Sequence, residues 1–383
     1  MEPRYIDRRQ DAESIAPLLD GAEAIALDAE AAGFHRYSDR LSLVQLTLPA
    51  SVGETRRDLV LDPFALDLSP LLEGVLEAPG VEVVMHGADF DVRLFRRDLG
   101  LEVEGLFDTQ VAAALLGKEA LGLQALTREV LGVELSKEHQ RADWAQRPLP
   151  PDLLRYAAED THHLFDLAGA LRHELEARGR LAWAREEFEV LQTVRFEPPE
   201  GEDPVARVKG ARDLGPRQLE RLRAALLWRD EEARRRDRAP FRVAGDAALL
   251  KAAVERPGTP EELAAIRGIS ERLAERAGQD LLNRFGEVDR KPEEELRPYP
   301  HPPGNGRARP PREVEERFRR LKEVRNATAE ALGVARGVLL ANWALEALAR
   351  ERPRSEEELA AMNGMRRWHM EVMGPKLLAA MDD

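Results

Sequence analysis

The sequence predicts a mixed α/β domain, with helices flanking a sheet, followed by two small all-helical domains. Three observations support this fold class. The first 190 residues alternate strand-like and helix-like stretches, a proline- and acid-rich segment interrupts the chain at 195–204, and the remainder contains an internal repeat. Strands that alternate with helical segments are typical of a sheet covered by helices.

The predicted strands are apolar stretches in the first half of the chain. Strand-like stretches occur at 22–30, 40–48, 57–63 and 81–87. Helix-like stretches occur at 69–78, 89–100, 108–117, 121–132 and 151–178. Asp108 stands immediately before one of these helices and is predicted to be its N-cap.

The internal repeat lies in the second half. TPEELAAIRGI at 259–269 recurs as SEEELAAMNGM at 355–365, which is 96 positions later, and the same offset pairs Arg229 with Arg325. In each copy a Ser or Thr is followed three residues later by Glu, the spacing of a capping box. The period exceeds the roughly 20–50 residues of solenoid repeats, so tandem helical domains are predicted.

These patterns predict the domain boundaries. The α/β domain covers 1–194, a linker 195–210, the first helical domain 211–288, a Pro- and Gly-rich linker 289–311, and the second helical domain 312–383. Glycine and proline at these densities are typical of linkers.

Composition narrows the class of protein. The 383 residues include no cysteine, which excludes disulfides, thiolate zinc sites and cysteine nucleophiles. No apolar run approaches the roughly 18–20 residues that span a bilayer, and the N-terminus lacks the apolar core of a signal peptide. We therefore expect a cytoplasmic protein that does not contact membranes, and a monomer, since nothing in the sequence demands a dimer.

Charge is distributed unevenly along the chain, whose net charge is −14. Residues 1–204 hold 21 Lys and Arg against 40 Asp and Glu, a balance of −19. Residues 205–383 hold 36 against 31, a balance of +5. An acidic N-terminal part and a mildly basic C-terminal part predict separate roles for the two. The basic C-terminal part is a weak indication of nucleic-acid contact.

Two acidic residues interrupt the first predicted strand. Asp28 and Glu30 lie two positions apart, and because strand side chains alternate between faces, both point to the same side. Two like charges this close are costly unless a cation lies between them. Taken alone, the pair indicates a solvated strand face equally well.

Three further residues complete a candidate set. Asp91 falls in the first turn of a predicted helix, where it could simply complement the helix dipole. Tyr156 and Asp160 are four positions apart on one helix face, and singly they would be a core aromatic and a solvated charge. Four converging carboxylates, Asp28, Glu30, Asp91 and Asp160, would suit Mg²⁺ or Mn²⁺. Two such ions roughly 3.5–4 Å apart can hold a phosphodiester for hydrolysis.

The same residues carry a family resemblance. LDAE, HGADFD and YAAED match in order and spacing the three motifs of the DEDD superfamily of 3′–5′ exonucleases, and the tyrosine is typical of its DEDDy branch. The helical repeat resembles the helicase-and-RNase-D C-terminal (HRDC) domain, a nucleic-acid-binding module. One DEDDy domain with two HRDC modules is similar to the architecture of the bacterial ribonuclease D family. The resemblance covers most of the chain.

The resemblance implies a fold and a role for each motif residue. The fold is ribonuclease-H-like. Asp28, Glu30 and Asp160 would ligate the metal that carries the nucleophilic water, Asp28 would bridge to a second metal, and Asp91 would hold that second ion directly or through water. Tyr156 would orient the attacking water.

Substrate contacts are less defined by the sequence. Gln45 on the second predicted strand could face the substrate groove, and a role as a core or edge polar residue is equally compatible. Arg234, Arg235 and Arg236 belong to a charge run, EEARRRDR, that could contact phosphates or simply form a solvated helix face. The second helical copy has Val324 where the first has Trp228, which makes its nucleic-acid role the more doubtful.

The primary functional hypothesis is a metal-dependent 3′–5′ exoribonuclease that releases nucleoside 5′-monophosphates. The resemblance implies trimming of structured RNA precursors, tRNA among them, with the helical domains supplying affinity. A chain ending near residue 200 is expected to keep its activity and lose affinity. One alternative is a 3′–5′ DNA exonuclease, because discrimination for RNA depends on contacts to the 2′-OH that the sequence does not show. The other is a nucleic-acid-binding scaffold with an inactive nuclease domain.

Overall fold

A computed structural model describes residues 2–50, 55–136, 138–139, 141–196, 203–300 and 310–382. Within these residues the chain folds into an α/β domain and two helical copies, which we call the first helical copy (203–300) and the second helical copy (310–382). The mixed sheet with flanking helices, followed by helical domains, confirms the predicted fold class.

The α/β domain is built on one six-stranded mixed sheet. Its strands are β1 Arg4–Ile6, β2 Ala24–Ala31, β3 Leu41–Leu48, β4 Arg57–Leu61, β5 Glu82–Met85 and β6 Leu106–Asp108. They are ordered β1-β4-β3-β2-β5-β6, and β3 runs antiparallel to both of its neighbours while the other pairs are parallel. Every residue of β3 is buried, because helices cover both faces of the sheet.

In the described part of the chain, eight α-helices surround this sheet. They are α1 Arg9–Asp20, α2 Ser69–Leu76, α3 Asp89–Leu94, α4 Thr109–Leu115, α5 Leu123–Leu126, α6 Pro151–His162, α7 Leu164–Ala177 and α8 Leu181–Gln192. Helices α3 and α5 each continue into a π-helical turn, Phe95–Leu99 and Thr127–Leu131. The predicted long helix at 151–178 is divided, because α6 ends at His162 and α7 begins at Leu164.

The first helical copy has a hydrophobic core of its own. Its helices are α9 Pro216–Arg235, α10 Pro240–Val243, α11 Asp246–Glu255, α12 Pro260–Ala264, α13 Glu271–Leu273 and α14 Gln279–Arg290. Trp228 is fully buried in this core and donates its indole N–H to the carbonyl of Ala277 (3.1 Å). Trp228 is therefore a packing residue, and its absence from the second copy says nothing about nucleic-acid binding.

The predicted linker at 195–210 is shorter in the structure. Residues 197–202 lie outside the described part of the chain. Val205 and Val208, however, are buried in the core of the first helical copy, so its packed unit begins several residues earlier than predicted. Residues 301–309 of the second predicted linker, 289–311, also lie outside the described residues.

The second helical copy shares one continuous apolar core with the α/β domain. Its helices are α15 Arg312–Leu332, α16 Arg336–Leu339, α17 Asn342–Glu351, α18 Glu356–Ala360 and α19 Arg367–Asp382. Trp368 stacks on Trp183 of α8 with ring centroids 5.0 Å apart, and Arg180 donates to the carbonyls of both Leu115 and Leu332. The two copies are thus tandem in sequence but differ in how they join the rest of the molecule.

None of the helices in the described part of the chain is both long enough and apolar enough to cross a membrane.

Candidate active site

The three acidic segments meet on one side of the sheet. Asp28 and Glu30 lie near the end of β2, which pairs with β3 on one side and β5 on the other. Asp91 lies in α3, directly after β5, and Tyr156 and Asp160 lie on α6, which packs across β2 and β3. The structure therefore brings together side chains from three separate parts of the sequence.

Asp108 fixes the start of the helix that carries Asp91. One of its carboxylate oxygens accepts from the backbone N–H of Gln110 (2.8 Å) and Val111 (2.9 Å), so Asp108 caps α4 as predicted. The other oxygen accepts from the backbone N–H of Ala88 (2.7 Å), the residue before α3. A buried carboxylate thus holds the turn that aims Asp91 at the site.

Three of the carboxylates are close enough to share an ion. One oxygen each of Asp28, Glu30 and Asp160 lie within 4.8 Å of one another. Asp91 lies outside this group of three and is 6% exposed. In the described residues none of the four carboxylates has a salt-bridge partner. Hard oxygen ligands crowded together without a cation fit a divalent metal ion such as Mg²⁺ or Mn²⁺.

The electrostatics of the site agree with this fit. Burial raises the pKa of Asp28 to about 7. Burial, followed by repulsion from Asp28, raises the pKa of Glu30, Asp91 and Asp160 well above the usual carboxyl range. Holding four ionised carboxylates here without a cation is costly, and a bound divalent ion would offset that cost.

Tyr156 is held rigidly beside the acidic group. Its ring packs edge-on against His139 (5.4 Å between centroids) and is stacked with Trp144 (6.2 Å). Burial, together with the negative charges of Asp160 and Glu30, raises its pKa. The hydroxyl therefore stays protonated and can donate a hydrogen bond into the site.

The site opens into a cleft of about 550 Å³. Its walls include Asp28, Glu30, Tyr156 and Asp160, and also two residues to which the sequence assigned no catalytic role, His86 and Arg128.

His86, which follows β5, hydrogen-bonds through Nδ1 to Thr109 Oγ1 (2.9 Å). Its Nε2 is buried and has no partner among the described residues, and burial lowers its pKa, so the ring is neutral near pH 7.

Arg128 supplies positive charge to an otherwise acidic wall. It follows α5, in the π-helical turn Thr127–Leu131. The signal in the sequence was slight, a single arginine in the stretch LGLQALTREVLG. The position of Arg128 on the cleft wall depends on the tertiary fold, which places this segment in the same cleft as the carboxylates.

Gln45 does not reach nucleic acid in this structure, so its assignment as a substrate contact is corrected. Gln45 pairs in register with Asp28 and faces α6, and its side chain has no exposed surface. Its amide has no hydrogen-bond partner among the described residues. Because β3 is a central strand buried on both faces, the polar side chain points into the core rather than the groove.

The three arginines of the charge run are held by neighbours. Arg234 donates to the hydroxyl of Tyr37 in the α/β domain (3.0 Å) and lies over that ring (5.2 Å). Arg235 and Arg236 both form ion pairs with Glu232 of the same helix. Arg234 therefore joins two domains, and phosphate contact by the run stays a prediction.

Comparisons with known proteins agree with these features. The family model for a 3′–5′ exonuclease matches residues 3–176, and the HRDC domain model matches 218–284 and 314–381. A ribonuclease D from Pseudomonas paraeruginosa is 34% identical over 364 residues, covering 94% of this chain and 92% of that protein.

Two solved structures extend the likeness to the whole chain. A protein from Bifidobacterium adolescentis superposes with a TM-score of 0.83 at 26% identity, covering 100% of this chain and 97% of that one. Escherichia coli RNase D, described as an exoribonuclease involved in structured RNA processing, has a TM-score of 0.68 at 27% identity, with 100% and 99% coverage. Neither a DNA exonuclease nor an inactive scaffold is favoured by these relatives.

Proposed function

The chain belongs to the ribonuclease D family and is a 3′–5′ exoribonuclease, and from this premise we propose how its residues act and on which RNAs. The observation that carries the mechanism is the group of unpaired carboxylates from Asp28, Glu30 and Asp160, within 4.8 Å of one another at the base of the cleft. Crowded carboxylates of this kind suit divalent ions and the phosphodiester that such ions hold.

Two divalent ions, Mg²⁺ or Mn²⁺, are the proposed cofactors. Asp28, Glu30 and Asp160 would hold one, and Asp28 and Asp91 the other. Bound there, the ions would supply a metal-activated water and stabilise the leaving 3′-oxygen. The bound ions would also offset the repulsion between these carboxylates and an RNA phosphate.

Tyr156 and Arg128 act on the substrate side. The protonated hydroxyl of Tyr156 would orient the attacking water, since the ring is fixed by His139 and Trp144. Arg128, on the cleft wall, would pair with a phosphate of the RNA strand and offset the acidic surroundings. The released product is a nucleoside 5′-monophosphate.

The proposed substrates are structured RNAs with a free 3′ end, tRNA precursors among them. The support is the likeness to an RNase D that is itself described as processing structured RNA, and the presence of two HRDC matches. We further propose that the enzyme acts in the cytoplasm as a monomer.

A 5′-labelled RNA hairpin with a 3′ overhang tests this proposal. With Mn²⁺ the wild type should shorten the band one nucleotide at a time, and EDTA should stop the reaction. Asp160→Asn should reduce the rate by at least a hundredfold, because a metal ligand is lost. Glu176→Gln, a change of an exposed carboxylate on the next helix, α7, is the matched control and should leave the rate unchanged.

A DNA hairpin of the same sequence completes the experiment. Slower cleavage of DNA than of RNA is expected. An intact RNA band with wild type and Mn²⁺, alongside efficient DNA cleavage, would contradict the RNA assignment.

A further inference from the structure

Two exposed phenylalanines from different domains contact each other. Phe34 lies in the loop after β2 and is 43% exposed, and Phe241 lies in α10 of the first helical copy and is 52% exposed. Their ring centroids are 5.5 Å apart and their planes are inclined at 51°. A single exposed apolar residue needs no explanation, but two large rings in contact with each other and with solvent form a patch.

Arginines border this aromatic pair. The Arg242 guanidinium lies 4.7 Å from the Phe34 ring centroid and 5.9 Å from that of Phe241, and Arg141 lies 6.0 Å from Phe34. Arg242 also donates through Nε to the carbonyl of Phe34 (2.8 Å), which fixes its position. A single-stranded nucleic acid presents flat base faces and negatively charged phosphates. The bases can stack on the aromatic rings, and the phosphates can pair with the bordering arginines.

The patch is rigidly mounted. Arg36 pairs with Asp143 (2.9 Å) before α6 and with Asp237 (3.6 Å) of the first helical copy. The backbone N–H of Ala239 donates to the carbonyl of His35 (3.3 Å). Polar contacts around the rings therefore hold the two domains together. About half of each ring stays exposed to solvent, and that exposed surface takes no part in the contact between the domains.

The patch is linked to the catalytic tyrosine through neighbouring residues of the chain. Phe34 follows the metal-ligand candidate Glu30 by four residues. The imidazole of His35 hydrogen-bonds to the carbonyl of Arg141 (2.8 Å), and the same segment carries His139, which packs on Tyr156. One short segment thus borders the catalytic tyrosine on one side and the aromatic pair on the other.

We propose that Phe34 and Phe241 form a stacking platform for a base of the single-stranded RNA that leads into the active site. Arg141 and Arg242 would neutralise the phosphates on either side of that base. The platform rests on the proposed function, because it requires an RNA whose 3′ end is bound at the carboxylates. Stacking accepts any base, so the platform gives affinity for single strands without sequence preference.

Fluorescence of 2-aminopurine reads the stacking directly. RNA 12-mers carry this base at each of the last six positions in turn, and they are bound to the full-length Asp28→Asn chain so that they are not degraded. Quenching is expected at one or two adjacent positions upstream of the 3′ end. Adding Phe34→Ala or Phe241→Ala should remove that quenching, whereas adding Phe34→Trp should retain it.

Kinetics separate the platform from the catalytic centre. In the otherwise wild-type chain, the double variant Phe34→Ala/Phe241→Ala should lower kcat/KM on a single-stranded 12-mer about tenfold, mainly through KM, as expected for the loss of one base stack. Hydrolysis of thymidine 5′-monophosphate p-nitrophenyl ester, which is too short to reach the platform, should be unchanged. Trp343→Ala, which removes an exposed aromatic from the second helical copy, is the matched control and should change neither rate.

Two outcomes would overturn the platform, and a third would overturn the proposed function. Unchanged quenching and unchanged KM in the alanine variants would show that the rings do not contact RNA. An equal loss of activity on the 12-mer and on the small ester would show that the substitutions act through the active site. If the wild type cleaves neither substrate, the proposed function fails instead, while the quenching experiment still reports on the platform.

Discussion

The two helical copies share the hydrogen bonds of one arginine although their sequences have diverged. Arg229 donates to the carbonyl of Ala244 (3.2 Å) and to Asp246 (2.6 Å). At an offset of 96, Arg325 donates to the carbonyl of Leu340 (2.9 Å) and to Asn342 (2.9 Å). The left-handed backbone conformation recurs as well, at Arg256 (φ 54°) and Arg352 (φ 50°). These shared bonds specify the fold of the module.

The surfaces of the copies differ instead. The first copy packs around its own core and touches the α/β domain through polar and aromatic side chains. The second copy continues the core of the α/β domain, and Gly117 lies so close to the Gly333 carbonyl that any side chain there would collide with it. The same fold is thus joined to the molecule in two ways: the second copy extends the core of the catalytic domain, and the first packs as a unit with its own core.

Expressing the copies separately would produce the largest difference between them. Residues 203–300 should fold alone and unfold cooperatively, because their core is self-contained. Residues 310–383 should melt at a lower temperature than the intact catalytic unit, because isolation exposes Trp368, which packs on Trp183 of α8, while α15 and α19 keep their contacts with each other. Circular dichroism during heating would check both, and an isolated second copy as stable as the intact catalytic unit would contradict the shared core.

A chain that ends near residue 200 would lack the second copy and leave part of the shared core uncovered. Residues 1–196 alone would expose Trp183 and the apolar residues that the second copy covers. We now expect this fragment to aggregate, rather than to keep its activity with only weaker RNA binding.

Two tryptophan substitutions, one in each helical copy, test whether the two cores unfold independently. Trp228→Ala should destabilise the first copy by about 3–5 kcal/mol, and Trp368→Ala should destabilise the unit formed by the α/β domain and the second copy by a similar amount. Calorimetry of the full chain should show two transitions, each moved by one variant only. If both variants shifted the same transition, the two cores would not be independent.

The sequence could predict what depends on local pattern. The strands containing Asp28 and Gln45 were readable as apolar runs, and the capping residues Asp108, Thr259 and Ser355 as polar residues before helices. Strands β1 and β6 were missed because each has only three residues, too few to show a period of two.

What the sequence could not predict depends on neighbours distant in the chain. The apolar residues of the second copy would look the same whether they joined their own core or that of the α/β domain. Gln45 sits on a strand whose central position buries both faces, and position within a sheet is not a local property. The meeting of Phe34 with Phe241 likewise requires the docking of two domains.

Metal binding should change the free energy of unfolding of one core only, and by less than the tryptophan substitutions do. Mn²⁺ at about 100 times its Kd should stabilise the unit that contains the active site by about 2.7 kcal/mol and leave the transition of the first copy unmoved. A calorimetric titration of the full chain with Mn²⁺ measures both, with Asp28→Asn as the variant that should not respond.

The stabilisation of the catalytic unit by Mn²⁺ should also depend on pH. Whether this stabilisation increases or decreases as pH rises is determined by the raised pKa of Asp28. Because burial raises its pKa to about 7, folded apoprotein binds a proton more tightly than the unfolded chain does, and its stability falls as pH rises from about 4 to 7. Mn²⁺ must displace that proton below pH 7, so the shift it produces should be larger at pH 8 than at pH 6. A larger shift at pH 6 would contradict the assignment of Asp28 as a ligand.

The smallest expected effects come from the matched helix caps. Thr259 Oγ1 accepts from the backbone N–H of Glu262 (3.3 Å), and Ser355 Oγ accepts from that of Glu358 (3.2 Å). Each substitution by alanine should cost about 1 kcal/mol, because one N–H at the helix start loses its partner. Since the bonds are equivalent and only the surrounding core differs, Thr259→Ala should lower the melting temperature of the first copy alone. Ser355→Ala should lower that of the catalytic unit, so a cap distant from the carboxylates would reduce the thermal stability of the nuclease.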